Sequence, residues 1–152
     1  MYLVRLIYVS KFSPGIGTDD INDILRASRA NNPEMKITGM LCYAPGVFLQ
    51  CLEGPREAVN KLYRAIAADD RHQNATVLEY ADVDDRTFGK WSMAYIRAED
   101  LGELPELVPS ANEKFDPFAM TAGEAFEFVS AIAKKREDLL ESSMKDMEAQ
   151  SR

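Results

Sequence analysis

Gln50 is the residue of this chain that most needs a chemical explanation. It sits in Val47-Phe48-Leu49-Gln50-Cys51-Leu52-Glu53-Gly54, whose alternation reads as a β-strand. Side chains two apart on a strand share a face, so Gln50 points the same way as Phe48 and Leu52. A primary amide carries two N–H donors and a carbonyl acceptor, and leaving such a group unpaired in a core costs about 1–3 kcal/mol. A side chain, a water or a bound molecule must meet it. Four more residues offer partners of the right kind. Tyr8 lies on the first predicted strand, Asn32 closes the first predicted helix on its buried side, and Trp91 and Met93 alternate on the last predicted strand. Each alone is explained by packing or helix termination. On one sheet face with a buried Gln, they outline a polar pocket inside an apolar layer.

Periodicity and punctuation give the elements that would position these residues. A strand is expected near Tyr2–Ser10, with Val4, Leu6 and Tyr8 on one face and Leu3, Arg5, Ile7 and Val9 on the other. Pro14-Gly15-Ile16-Gly17 is a turn. Thr18 is the expected N-cap of a helix with Asp19 and Asp20 in its first turn. Ile21, Ile24, Leu25 and Ser28 form that helix's buried stripe, and Asn31-Asn32-Pro33 is the expected stop, because proline disfavours helical geometry in the residue before it. Lys36–Tyr43 and Val47–Glu53 read as a hairpin turning at Ala44-Pro45-Gly46. Pairing Ala44 with Val47 sets Tyr43 against Phe48 and Leu41 against Gln50.

Gly54-Pro55 opens a second helix, with Pro55 at its first position and Val59, Leu62, Tyr63 and Ile66 on its apolar face. Asp69-Asp70-Arg71-His72 leaves that helix, and strands follow near Ala75–Val83 and Lys90–Arg97. The order βαββαββ is the ferredoxin-like plan with one strand added: an α+β fold, a five-stranded mixed sheet with two helices on one face. Met40, Cys42, Leu49 and Cys51 make the other face apolar too, so it needs its own cover. Thr121 and Glu124 form a capping box ahead of Phe128, Val129, Ile132, Leu139 and Leu140, and this C-terminal helix is the expected cap. Residues 1–97 therefore read as one domain. Residues 98–152 read as a Pro- and acid-rich linker, Glu99–Pro117, followed by a helical cap or interaction segment.

Composition removes several function classes. A net charge of −7 argues against general nucleic-acid or anionic-membrane binding, which relies on clustered Lys and Arg. The start of the chain has Arg5 among its apolar residues and no small-residue cleavage site, so it does not read as a secretory signal. No apolar run reaches the roughly 18 residues of a membrane span. Two Cys without a CxxC motif and a single His leave no zinc pattern. A cytoplasmic protein is expected.

Several motifs together resemble one family. RLIYVS carries Tyr8, SRANN carries Asn31 and Asn32, ITGMLCY spans Ile37–Tyr43, FLQCLEG carries Gln50, DDRH ends at His72, and KWSM holds Trp91 and Met93. The sequence resembles the BLUF family of blue-light sensors that use flavin, and in extent its short stand-alone members. The resemblance implies non-covalent FAD, or FMN in part, between the two helices. It implies that Asn32 hydrogen-bonds the carbonyl side of the ring, with Asn31 and Ser28 on the same helix end. Ile24, Leu25 and Ile37 would pack on the ring, and Asp69, Arg71 and His72 would hold its remaining edge and the ribityl chain. Light-excited flavin would take an electron and a proton from Tyr8 through Gln50, leaving a rearranged hydrogen-bond network and a reversible red shift. Trp91 and Met93 would compete for a place near Gln50 and pass the change on. The resemblance further implies a homo-oligomer engaging a response-regulator-like partner, with no enzymatic product.

Two other readings stay open on the residues alone. A ferredoxin-like phosphatase needs an anion-cradling loop with a positioned Arg. Ser13–Thr18 has Gly15 and Gly17, but the nearest Arg is Arg5, across the strand. A ligand-binding or dimerisation module without photochemistry fits the same elements, and a yellow flavin colour separates it from a photoreceptor.

Overall fold

The structure is a computed structural model that describes residues 2–44, 46–89, 93–97 and 116–135. The elements are β1 (Leu3–Phe12), α1 (Thr18–Met35), β2 (Thr38–Ala44), β3 (Val47–Pro55), α2 (Arg56–Ala68), β4 (His72–Val83) and β5 (Ala94–Arg97). A 3-10 turn at Pro117–Ala119 leads to α3 over residues 122–135. The sheet order is β4-β1-β3-β2-β5. β1 is antiparallel to both β3 and β4, and β5 joins the edge parallel to β2. This is the expected five-stranded mixed sheet.

The hairpin register is the one pairing Ala44 with Val47, so Leu41 lies opposite Gln50. β1 meets β3 with Tyr8 opposite Gln50, and opposed residues of an antiparallel pair face the same side. Gly39 is required between these strands: a Cβ there would collide with the Cys51 carbonyl oxygen.

Several boundaries differ from the sequence reading, each for a local reason. The N-cap of α1 is Gly17, not Thr18, and Asp20 Oδ2 accepts from the Gly17 N–H at 3.0 Å. Pro33 lies inside α1 rather than ending it. Lys36 closes the helix in the left-handed region at φ 58, with its N–H on Pro33 O and the Ile37 N–H on Asn32 O. These paired bonds are a Schellman motif, which here outweighs the bias against helix before proline. Pro55 is the N-cap of α2 rather than its first helical residue, so the helix starts one residue later than expected, and Pro55 still belongs to β3. β4 begins at His72, so His72 is a strand residue and not a helix exit.

Two apolar layers flank the sheet. Val4, Leu6, Tyr8, Leu41, Phe48 and Leu52 pack under Ile21 and Leu25 of α1 and Val59 of α2. Ile7, Val9, Met40, Cys42, Leu49 and Cys51 pack under Ala125, Phe128, Val129 and Ile132 of α3. The expected cap therefore covers the second face. Its capping box is formed, with Thr121 N–H on Glu124 Oε1 (3.0 Å) and Glu124 N–H on Thr121 Oγ1 (3.2 Å). The Arg5 guanidinium lies 3.7 Å from the Phe126 ring centre and pairs with Glu79 at 2.7 Å, tying α3 to the sheet. Leu139 and Leu140 lie outside the described residues, as does most of Glu99–Pro117.

Candidate functional site

Between α1, α2 and the first sheet face lies a cavity of about 190 Å³. The helix period decides which α1 residues reach it. Ile24, Ser28, Asn31 and Met35, spaced i, i+4, i+7, i+11, line it together with Ala27, as expected for one stripe of a helix. Leu62, Ala65 and Ile66 of α2 form the facing wall, while Tyr8 and Gln50 form part of the sheet side. Asp69, Arg71 and His72 contribute from the α2–β4 connection, and Asn32 from the last turn of α1.

Leu25 and Ile37 are placed elsewhere. Both are buried in the core beneath and do not line the cavity. Leu25 falls one position off the cavity stripe, on the side of α1 that seats with Ile21 on the sheet. Trp91 lies outside the described residues.

A buried hydrogen-bond chain runs along the sheet side. The Tyr8 hydroxyl donates to Gln50 Oε1, and Gln50 Nε2 donates to Met93 Sδ at 3.4 Å. All three side chains are shut from solvent, with Gln50 only 3% exposed. The amide therefore uses both ends on neighbours. Burial, reinforced by Tyr63 and Asp69, holds the Tyr8 pKa well above its ordinary value, so the phenol keeps its proton. Met93 is fixed a second way, by Arg29 Nε donating to its carbonyl oxygen at 3.2 Å.

At the cavity's other end, Arg71 clamps Asp69 with a 2.6 Å ion pair and a shared set of hydrogen bonds. The Arg71 side-chain bond is the main reason the Asp69 carboxyl drops to about 2. Burial lowers the His72 pKa, with Asp69 partly opposing it, so the imidazole favours its neutral form. Ser10 Oγ lies 2.8 Å from His72 Nδ1.

Four polar anchors escaped sequence reasoning. Ser10 shares the parity of Tyr8 on β1, and period two could have flagged it. Glu53 is fully buried on β3 and accepts from the Thr87 and Phe88 N–H groups at 2.8 Å each. Arg86 returns across it to Glu53 O, Thr38 Oγ1 and Lys36 O. Arg29 sits on a helix face that reads as solvent-exposed. The two cysteines are inert core groups, the Cys42 thiol pushed up to about 12 by burial and Cys51 raised likewise. Among the described residues no cluster of His, Cys, Asp and Glu could hold a metal ion.

The family described as sensors of blue-light using FAD, BLUF, matches residues 3–94. This chain belongs to the BLUF family. Its cofactor is FAD, and the BLUF domain is a sensor rather than a catalytic unit. The chain is 33% identical over 106 residues to the photoactivated adenylate cyclase subunit beta of Euglena gracilis, covering 69% of this chain and 12% of that protein. It is 37% identical over 93 residues to the blue light- and temperature-regulated antirepressor BluF of Escherichia coli K12, covering 60% of this chain and 23% of that one. The chain thus spans a small part of these curated relatives. The dark-state structure of the BLUF protein BlrB superposes with a TM-score of 0.71 at 33% identity, covering 88% of this chain and 97% of that one.

The cavity suits part of such a cofactor. It has apolar side walls from Ile24, Leu62 and Ile66 and polar groups at its edges from Gln50, Asn32 and His72. That is the pattern of a planar ring with hydrogen-bonding margins. Its volume is below the roughly 300–1,000 Å³ of sites that enclose a whole small molecule, so it accommodates a ring system and not an entire dinucleotide. No helix of the described residues is long and apolar enough to cross a membrane.

Proposed function

We propose that this chain senses blue light through the Tyr8–Gln50–Met93 chain and reports it by protein contact. The observation that carries the reading is the buried bond from the Tyr8 hydroxyl to Gln50 Oε1 at the wall of the ring-sized cavity. FAD supplies the light absorption and the electron acceptor. Tyr8 releases an electron and its hydroxyl proton and recovers both, so no covalent change remains on it. Gln50 accepts from that hydroxyl and relays the proton. The lasting difference is which end of its amide faces Tyr8, by rotation or tautomerisation. Asn32, Asn31 and Ser28 hold one edge of the ring, Ile24 packs on it, and Asp69, Arg71 and His72 hold the opposite edge and the chain leading from it. Arg71 is paired with Asp69, which fits a dinucleotide tail left in solvent rather than gripped by a basic pocket.

The output follows from the contacts of Met93. When Gln50 turns, Met93 Sδ faces a carbonyl oxygen in place of an N–H donor and loses its attraction. Met93 belongs to the cavity-side core and the next residue, Ala94, to the α3-side core, so a shift at one is felt at the other. Residues 1–97 act as the flavin-binding domain and 98–152 as the linker and interaction segment. The protein is cytoplasmic, a homo-oligomer, and engages a response-regulator-like partner.

The deciding experiment is a light-minus-dark absorbance spectrum of the purified, flavin-loaded protein. A reversible red shift is expected in the wild type and none in Tyr8→Phe or Gln50→Leu, with flavin retained in both. A normal photocycle in either variant would refute the roles given to these residues.

A further inference from the structure

One buried polar pair stands apart from the Tyr8–Gln50–Met93 chain. Ser10 is fully buried on β1, two residues beyond Tyr8 and on the same face, and its Oγ lies 2.8 Å from His72 Nδ1. The β1–β4 ladder shifts register twice, between Ile7 and Tyr8 and again between Val9 and Lys11, and the second shift restores the side-chain parity lost at the first. Val9 pairs with Thr76 and Lys11 with Gln73, so Asn74 and Ala75 together stand opposite Ser10. Asn74 takes the left-handed conformation at φ 55 that such a bulge uses. Had the ladder run on regularly from Val9, Phe12 would oppose Gln73, and His72 would point to the other face. Instead Phe12 opposes His72. The bulge thus aims the one imidazole of the chain at Ser10 and the cavity.

Donor counting then sets the tautomer. A serine hydroxyl has one proton to give, and a buried hydroxyl that donates to nothing suffers its full desolvation cost. Nδ1 of a neutral imidazole is a suitable acceptor. Once Nδ1 accepts, the ring proton resides on Nε2. The ring plane is held by Phe48 at 5.0 Å and by the edge contact with Tyr8 at 6.3 Å between centroids. The depressed pKa of His72 agrees with a neutral ring.

We infer that Ser10 is a positioning residue that holds His72 as the Nε2–H tautomer, so that this wall offers the cofactor a hydrogen-bond donor. It selects a ring edge that presents a carbonyl oxygen or an unprotonated nitrogen there and rejects one that presents an N–H. The ligand half of this inference rests on the placement of the flavin ring proposed above.

Because His72 is the only histidine, its ring nitrogens can be read without ambiguity by long-range ¹⁵N NMR on labelled protein, flavin-free and FAD-loaded. The wild type should show an unprotonated Nδ1 and a protonated Nε2 in both. Ser10→Ala should mix the tautomers and weaken FAD binding, titrated by flavin fluorescence, by about five- to thirty-fold, the size of one buried hydrogen bond. Ser10→Cys, close in size with a weaker donor, should fall between. His72→Ala added to Ser10→Ala should cost little more, since both act through one contact. The light-induced red shift should persist in Ser10→Ala. A protonated Nδ1 in the wild type overturns the role of Ser10 without any variant. So does a Ser10→Ala protein whose tautomer is unchanged and whose FAD dissociation constant stays within about twofold. A wild type that takes up no FAD overturns the ligand half together with the functional reading, while its flavin-free spectrum still decides what Ser10 does to the ring.

Discussion

Neighbouring residues on β1 and β3 face two interiors of opposite character. Ile7, Val9, Leu49 and Cys51 look toward α3 into a layer closed by Phe128, Val129 and Ile132. Tyr8, Ser10 and Gln50, each one residue away, look toward α1 and α2, where polar atoms bond to one another beside an open cavity. The backbone ladder is common to both. The α3 face is stabilised by apolar burial, to which each large side chain contributes about 1.5–3 kcal/mol. The cleft face carries groups whose hydrogen bonds, once satisfied, contribute only about 0.5–1.5 kcal/mol each, less than the apolar side chains opposite, so their presence calls for a role other than stability. Stability and photochemistry should therefore be separable by choosing the face.

The largest effect that would test this separation is the loss of the light-induced shift. Gln50→Leu should erase it completely in difference spectra at a stability cost of no more than about 1–3 kcal/mol, the cost of leaving the buried Tyr8 hydroxyl without its acceptor. A Gln50→Leu protein that is also strongly destabilised would show that the two faces are not independent. On the other face, Ile132→Ala should cost about 2–5 kcal/mol by urea denaturation with the shift amplitude retained per folded molecule. Loss of the shift in the folded fraction would extend the photochemical unit through α3.

A smaller effect is expected at Glu53, whose buried carboxylate holds the Thr87 and Phe88 N–H groups. Glu53→Gln removes the charge and turns an acceptor into a donor facing N–H groups. A loss of about 1.5–3 kcal/mol is expected by the same measurement, with flavin uptake unaffected. The smallest effect concerns Asp69. Its folded pKa, about 2, is below the ordinary 3.8, so its contribution is complete above the unfolded value and is lost as pH falls from about 4 toward 2. Asp69→Asn should flatten that part of the acid unfolding curve. Both partners are partly exposed, 29% and 37% for the side chains, so solvent screening keeps the change modest. An unaltered acid limb would show that the Arg71 clamp does not contribute to stability.

Much of the fold was legible because it rests on short-range patterns. Alternation placed Tyr8 and Gln50 on one face and Ile7 and Cys51 on the other, and one turn, Ala44 to Gly46, set the register that brings Leu41 opposite Gln50. The Thr121–Glu124 capping box was readable for the same reason, since its partners are three residues apart. Thr18, Pro33 and Pro55 misplaced helix ends because capping depends on where the chain goes next. Lys36 could close α1 only once Ile37 had turned into β2.

The sequence by itself determined the order of elements, the two-faced sheet and the need of a buried amide for a partner, because strand and helix periods are properties of the local backbone. Only the tertiary structure decided which partner each polar group meets. Tyr8 and Gln50 are 42 residues apart, and Gln50 and Met93 are 43 apart. Ser10 finds His72 at a separation of 62 through a bulge that shifts β4 by one residue. A hydrogen bond depends on distance and direction at the level of tenths of an ångström. No spacing along the chain encodes those, and they appear only when strands, helices and the β4 bulge are packed together.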